Sequence, residues 1–169
     1  MKLIKKFKSP NYDKRKSKRI LFIIIHYTAL KNTNEAISYL CNKKKKVSSH
    51  FLISQKGLIY NLVNEKKRAW HAGLSYWDNN TDLNSLSLGI ELDFSYSKLN
   101  NVYSDEMIES LILLLKNLKK KYKIKNKNIL GHSDVAPYRK QDPGFKFPWH
   151  KLYSKNIAFN PDKYNFSIR

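Results

Sequence analysis

Residues 20–25 read ILFIII, an unbroken apolar run rich in β-branched side chains and bounded by charge. A strand with one wet face alternates, so an unbroken run predicts a central strand covered on both faces. SHFLIS at 49–54 and LIYNLV at 58–63 flank Gln55-Lys56-Gly57 and predict a β-hairpin. LSLGIEL at 86–92 alternates and predicts another strand, and Ile129-Leu130 a short one. Thr33 reads as the N-cap of a short helix over 34–41. Ser104, followed by Asp105 and Glu106, opens a helix over 105–122 in which Met107, Ile108, Leu111, Leu114, Leu115 and Leu118 recur at helical spacing. The lysine run 43–46 predicts loop, and 64–84 is loop-rich and carries Trp70, Tyr76 and Trp77. A short helix is expected near Trp149–Tyr153, after a proline-rich loop. Strands interleaved with helices predict an α/β (α+β) fold, a single central sheet with helices packed on it.

No internal repeat or linker interrupts the 169 residues, so one domain is expected over 1–169. Within it, 1–19 form a basic N-terminal arm, 20–153 the core and 154–169 a C-terminal tail. An apolar fraction of 41% is that of a folded chain. The single cysteine, Cys41, excludes an internal disulfide and reads as a small apolar residue of the short helix. The first twenty residues are charged throughout and lack the apolar stretch of a secretory signal, and no window reaches the length of a membrane span. A soluble, cytoplasmic chain is the expectation. A formal charge of +20 favours encounter with anionic partners. The excess is mostly scattered lysine, however, and no nucleic-acid motif accompanies it, so solvated surface rather than a specific nucleic-acid partner is expected. No apolar stripe is left over for an interface, which predicts a monomer.

The chemistry-bearing residues start with five histidines. His26 closes the buried run, and His132 follows KNIL through Gly131. The ends of strands in an α/β sheet are where ligand-binding groups gather. Asp142, ten residues after His132, lies in a loop stiffened by Pro137 and Pro143. Two histidines and one carboxylate can hold a catalytic zinc. Spacing alone carries this no further than a candidate metal site, since there is no HExxH and each histidine can equally be a satisfied core or surface residue.

The motifs IIIHYTAL, VSSHFLIS, RAWHAGLSYW, NSLSLGIEL and ILGHSDVAPYRKQDPGFKFPW occur in this order. Together they resemble the N-acetylmuramoyl-L-alanine amidases, in particular the branch that processes anhydro-muropeptides. The wider superfamily includes phage T7 lysozyme and the peptidoglycan recognition proteins. The resemblance covers residues 9–153 and implies their fold, a mixed central sheet flanked by helices. It implies one Zn2+ per chain on His26, His132 and Asp142, with Glu91 of GIEL and Lys140 of RKQDPG as catalytic residues. It implies substrate contacts from His50, Trp70, His71, Asn84 and Arg139, with Arg139 suited to a peptide carboxylate. The implied reaction is hydrolysis of the amide joining the lactyl group of muramic acid to L-alanine, on peptidoglycan or its muropeptide fragments. A peptidoglycan-binding module without catalysis is the alternative, and the presence of all five metal and catalytic positions argues against it. The chain departs from the family after GIEL, where DFSYSKLNNVYSDEM replaces a polar loop containing Asn and Gly. His150 has no assigned role.

Overall fold

A computed structural model describes residues 2–97 and 102–160. In chain order the elements are β1 (Leu3–Ile4), β2 (Tyr12–Lys14), β3 (Phe22–Tyr27), α1 (Thr33–Leu40), β4 (Phe51–Ile53), β5 (Ile59–Asn61), β6 (Lys67–Ala69), α2 (Leu83–Leu86), β7 (Ser87–Leu92), α3 (Asp105–Tyr122), β8 (Ile129–Gly131), α4 (His132–Val135) and α5 (Trp149–Ser154). Six strands form one mixed sheet in the order β1-β5-β4-β7-β3-β8. β4, β7, β3 and β8 run parallel, and β5 returns antiparallel beside β4 as the expected hairpin. β2 and β6 form a separate antiparallel pair.

The period-two alternation of the central strands decides which side chains reach which layer. Ile23 and Ile25 of β3, Phe51 and Ile53 of β4, and Leu88, Ile90 and Leu92 of β7 face α3. There they pack on Met107, Ile108, Leu111, Leu114, Leu115 and Leu118, the apolar stripe expected over 105–122. Ser104 caps that helix by accepting from the Met107 N–H. On the opposite face, Phe22 and Ile24 pack with Ala72, Leu83, Leu130 and Val135. Because His26, Ser87, Gly89 and Glu91 alternate with the α3-facing residues, they fall on this second face.

Three local expectations are revised. Asn32, not Thr33, caps α1: its side chain accepts from Glu35 N–H at 3.0 Å, while the Thr33 hydroxyl donates to Asp93 at 2.5 Å. The arm over 1–19 contributes two strands, β1 parallel to β5 and β2 antiparallel to β6. Two- and three-residue strands are too short to show a period, and their pairing depends on partners distant in sequence. The loop-rich segment 64–84 also holds β6 and the start of α2. No helix among the described residues is long and apolar enough to cross a membrane. Residues 161–169 of the predicted tail lie outside the described residues.

Candidate metal centre and catalytic groove

β7, β3 and β8 are parallel neighbours, so their C-terminal ends lie side by side. Glu91 on β7 is the register partner of His26 on β3. His132 begins α4 directly after β8. Asp142 arrives by a loop whose backbone is tied to the same place: Ser133 N–H donates to the Asp142 carbonyl at 2.9 Å. Gly131 permits this approach, because a Cβ there would sit 2.6 Å from Pro143 Cδ.

The three side chains converge. His26 Nδ1 lies 2.9 Å and His132 Nδ1 3.0 Å from Asp142 Oδ2, and the two nitrogens are 3.0 Å apart. All three residues are buried, and their ligand atoms lie within 4.8 Å of one another. The donor set fits a cation. His132 Nε2 lies 3.1 Å from the Ala72 carbonyl, which can only accept, so the neutral ring carries its proton there. Its Nδ1 is then a bare electron pair facing a carboxylate, an arrangement that calls for positive charge between them.

Electrostatics favour the neutral imidazole of His26 and the ionised carboxylate of Asp142. Burial brings the His26 imidazole down to about 4, against the opposing pull of the Asp142 carboxylate. Burial would raise Asp142, but the His132 and His26 imidazoles against its oxygen outweigh that and hold the carboxyl well below the usual range. Glu91 behaves oppositely. Burial, then the negative charge of Asp142, lift it to about 8 against the pull of Lys140. Its Oε2 is buried without a hydrogen-bond partner among the described residues. A carboxylate poised near neutrality and lacking a partner is suited to taking up and releasing a proton.

A groove of about 570 Å³ opens over this cluster, lined by His26, Glu91, His132, Lys140 and Asp142, with Trp70 and Arg139 on its border. A larger cavity of about 1310 Å³ lies beyond Pro137–Arg139 but contains neither the three convergent side chains nor Glu91. Arg139 Nη2 donates to the carbonyls of Ala72 and Leu74 at 2.8 and 2.5 Å, which fastens one nitrogen of the fork on a side chain that lines the groove. Among the described residues, His50 and Asn84 do not line the groove. His50 is fully buried: its Nδ1 accepts from Gly89 N–H at 3.0 Å and its Nε2 lies 3.0 Å from the Lys67 carbonyl. Asn84 Oδ1 accepts from the backbone N–H groups of His71 and Ala72 at 3.0 and 2.8 Å. His71 borders the groove yet is only 8% exposed, with Nδ1 3.1 Å from His26 Nε2 and Nε2 3.2 Å from Ser87 Oγ. His150 is exposed on α5.

Two features escape the sequence reading. Arg15, from the basic arm, donates to the carbonyls of Glu65, Asn84, Ser85 and Ser87. It clamps the segment that carries Asn84. Arginine is scarce among the 33 basic residues of this chain, five in all, and that scarcity is the one signal that could have singled it out. The second is the segment after Glu91. Residues 98–101 lie outside the described residues, but its described aromatics brace the metal loop. Tyr103 stacks on Phe94 with centroids 4.1 Å apart and donates its hydroxyl to the Pro143 carbonyl at 2.7 Å. Tyr96 stacks on Phe145 at 5.4 Å.

The family model described as N-acetylmuramoyl-L-alanine amidase matches residues 16–145. N-acetylmuramoyl-L-alanine amidase AmiD of Escherichia coli is 39% identical over 157 residues, covering 85% of this chain and 56% of that protein. The 1,6-anhydro-N-acetylmuramyl-L-alanine amidase AmpD of Haemophilus influenzae is 32% identical over 169 residues, covering 89% of this chain and 90% of the relative. The solved structure of E. coli AmiD in complex with the substrate anhydro-N-acetylmuramic acid-L-Ala-D-gamma-Glu-L-Lys superposes with a TM-score of 0.77 at 36% identity, covering 86% of this chain and 62% of that one. This chain therefore spans little more than half the length of AmiD and most of AmpD. With the family model covering most of the chain and the structure superposing on that of AmiD, the protein belongs to the N-acetylmuramoyl-L-alanine amidase family.

Proposed function

We propose that this chain is a zinc-dependent N-acetylmuramoyl-L-alanine amidase that hydrolyses the amide between the lactyl group of anhydro-muramic acid and L-alanine of the stem peptide. The observation that carries this reading is the convergence of two buried imidazole nitrogens and a carboxylate beside a carboxylate oxygen with no partner, in one groove. The substrate follows from the relatives: AmiD is solved with an anhydro-muramic acid peptide, and AmpD is named for the same group.

His26 Nδ1, His132 Nδ1 and Asp142 Oδ2 would hold the ion. Bound zinc supplies Lewis acidity, polarising the scissile carbonyl and acidifying water. Glu91 Oε2 takes the proton from the attacking water as its oxygen bonds to the carbonyl carbon. As the C–N bond breaks, Glu91 returns that proton to the alanine nitrogen. The Lys140 ammonium, on the rim of the same groove, offsets the negative charge that builds on the carbonyl oxygen. Arg139 offers its remaining N–H groups to a stem-peptide carboxylate, and Trp70 offers an aromatic face to the sugar.

The test is product analysis. The full chain with zinc is incubated with soluble anhydro-muropeptide and, separately, with intact sacculi. Peptide beginning with L-alanine should appear, vanish with chelator and return with added zinc. A chain that holds no stoichiometric zinc and releases no peptide would be a binding module instead.

A further inference from the structure

We propose that His71 is a positioning residue which fixes the proton of His26 on Nε2 and so turns the bare Nδ1 toward the ion. The argument starts at a backbone carbonyl. Leu83 O can only accept, and Ser87 Oγ lies 2.5 Å from it. The single hydroxyl proton of Ser87 is spent there, so Ser87 can only accept from His71 Nε2, 3.2 Å away. A neutral His71 with its proton on Nε2 has a bare Nδ1. That atom accepts from His26 Nε2 at 3.1 Å, which leaves His26 Nδ1 without a proton, 2.9 Å from Asp142. Reversing any one bond would put a proton on His26 Nδ1, where the ion belongs.

The relay is held from outside. Asn84 Oδ1 accepts from the N–H groups of both His71 and Ala72. The His71 ring lies against β7 where Gly89 leaves room: a Cβ at Gly89 would sit 2.5 Å from His71 Cγ. The neighbouring carbonyl, Ala72 O, receives the Nε2 proton of His132 at 3.1 Å. Two consecutive residues on one clamped turn thus set the proton positions of both imidazole ligands, one through a side chain and one through a carbonyl.

The inference rests on the zinc reading above, and its test separates the two. Long-range nitrogen–proton NMR of the metal-free chain reports which ring nitrogen carries the proton. Zinc affinity is measured by chelator competition, alongside the melting temperature of the metal-free chain. The wild type should show both His26 and His132 as the Nε2–H form. Ser87→Ala should leave His132 unchanged and give His26 a mixture of forms. His71→Leu should weaken zinc roughly 10- to 100-fold, and His71→Asn, which restores an acceptor near the Nδ1 position, should recover most of it. The proposal is overturned if His26 stays in the Nε2–H form in Ser87→Ala, or if a folded His71→Leu chain binds zinc within about twofold of wild type. If His71→Leu does not fold, the Ser87→Ala spectrum decides. A wild type that takes up no zinc overturns the metal reading, and the relay is then judged on the tautomer alone.

Discussion

His26 and Glu91 are register partners on β3 and β7, and their side chains share one face of the sheet, yet Glu91 Oε2 makes no hydrogen bond to the imidazole or to any other group among the described residues. A buried oxygen without a partner costs stability when it is charged. Glu91→Gln should therefore keep zinc and lose activity by at least about 10²-fold, the usual worth of a proton-transfer group. Equal zinc content with near wild-type turnover would show that Glu91 is not the shuttle.

The same substitution has a pH signature in the metal-free chain. The carboxyl is raised from 4.5 to about 8, so its contribution is favourable below 4.5 and is lost as pH rises through 8. Glu91→Gln should match wild type near pH 4 and exceed it at pH 8. Part of the residue is exposed, so a gain of roughly 1–2 kcal/mol is expected rather than the full shift. Denaturant midpoints across this range check it.

Histidine burial acts in the other direction. His26 falls from 6.5 to about 4 and His50 to about 3, with burial the leading cause in each. A depressed histidine supports the fold above 6.5, and that support is withdrawn as pH falls toward the folded values. The metal-free chain should lose stability from about pH 6.5 down to pH 4. A flat profile over that interval would contradict the buried neutral imidazoles.

Tyr103→Phe removes one donor from the Pro143 carbonyl and leaves the stack on Phe94. The expected cost is about 0.5–1.5 kcal/mol in thermal or denaturant stability. A small loss of zinc affinity should accompany it, because Pro143 follows Asp142, one of the three proposed ligands. An unchanged zinc affinity would mean that Asp142 is held without the aromatic brace.

Arg15→Ala leaves four carbonyls without their donor. A loss of about 2–3 kcal/mol is expected, and Arg15→Lys should rescue little, since an ammonium cannot reproduce the fork. Calorimetry of the two variants distinguishes this from a surface charge, whose removal would hardly register.

These cases show where the sequence is readable. α3 was legible to its ends because cap, acidic first turn and apolar stripe agree within eighteen consecutive residues. β3 was legible because a strand buried on both faces reads as an unbroken apolar run up to His26. The three convergent side chains were legible through their motifs, although spacing alone left them open. What stayed hidden depends on contacts across the fold. β1 and β2 are too short to carry a period, and α4 is a single turn. His50 and Asn84 sit in motifs of the groove, yet their polar atoms are engaged by backbone and, for His50, by Arg15, and a motif does not tell an inward side chain from one a layer deeper. Arg15 lies in a run that reads as solvated charge, and only its partners at residues 65 and 84–87 reveal its role.

The central strand has a further consequence for how the molecule comes into being. β3 lies between β7 and β8, whose residues follow it by about 65 and 106 positions in the registers Ile23↔Leu88 and Ile23↔Ile129. Asp142 meets His26 across 116 residues. Pairings that distant close slowly and only after their partners exist. A nascent chain released to residue 120 still lacks β8, His132 and Asp142, and leaves one edge of its most apolar strand bare. Such a segment is a target for chaperones or for other unfinished copies. Bound metal would then count completed molecules, since no fragment ending before Asp142 contains all three proposed ligands.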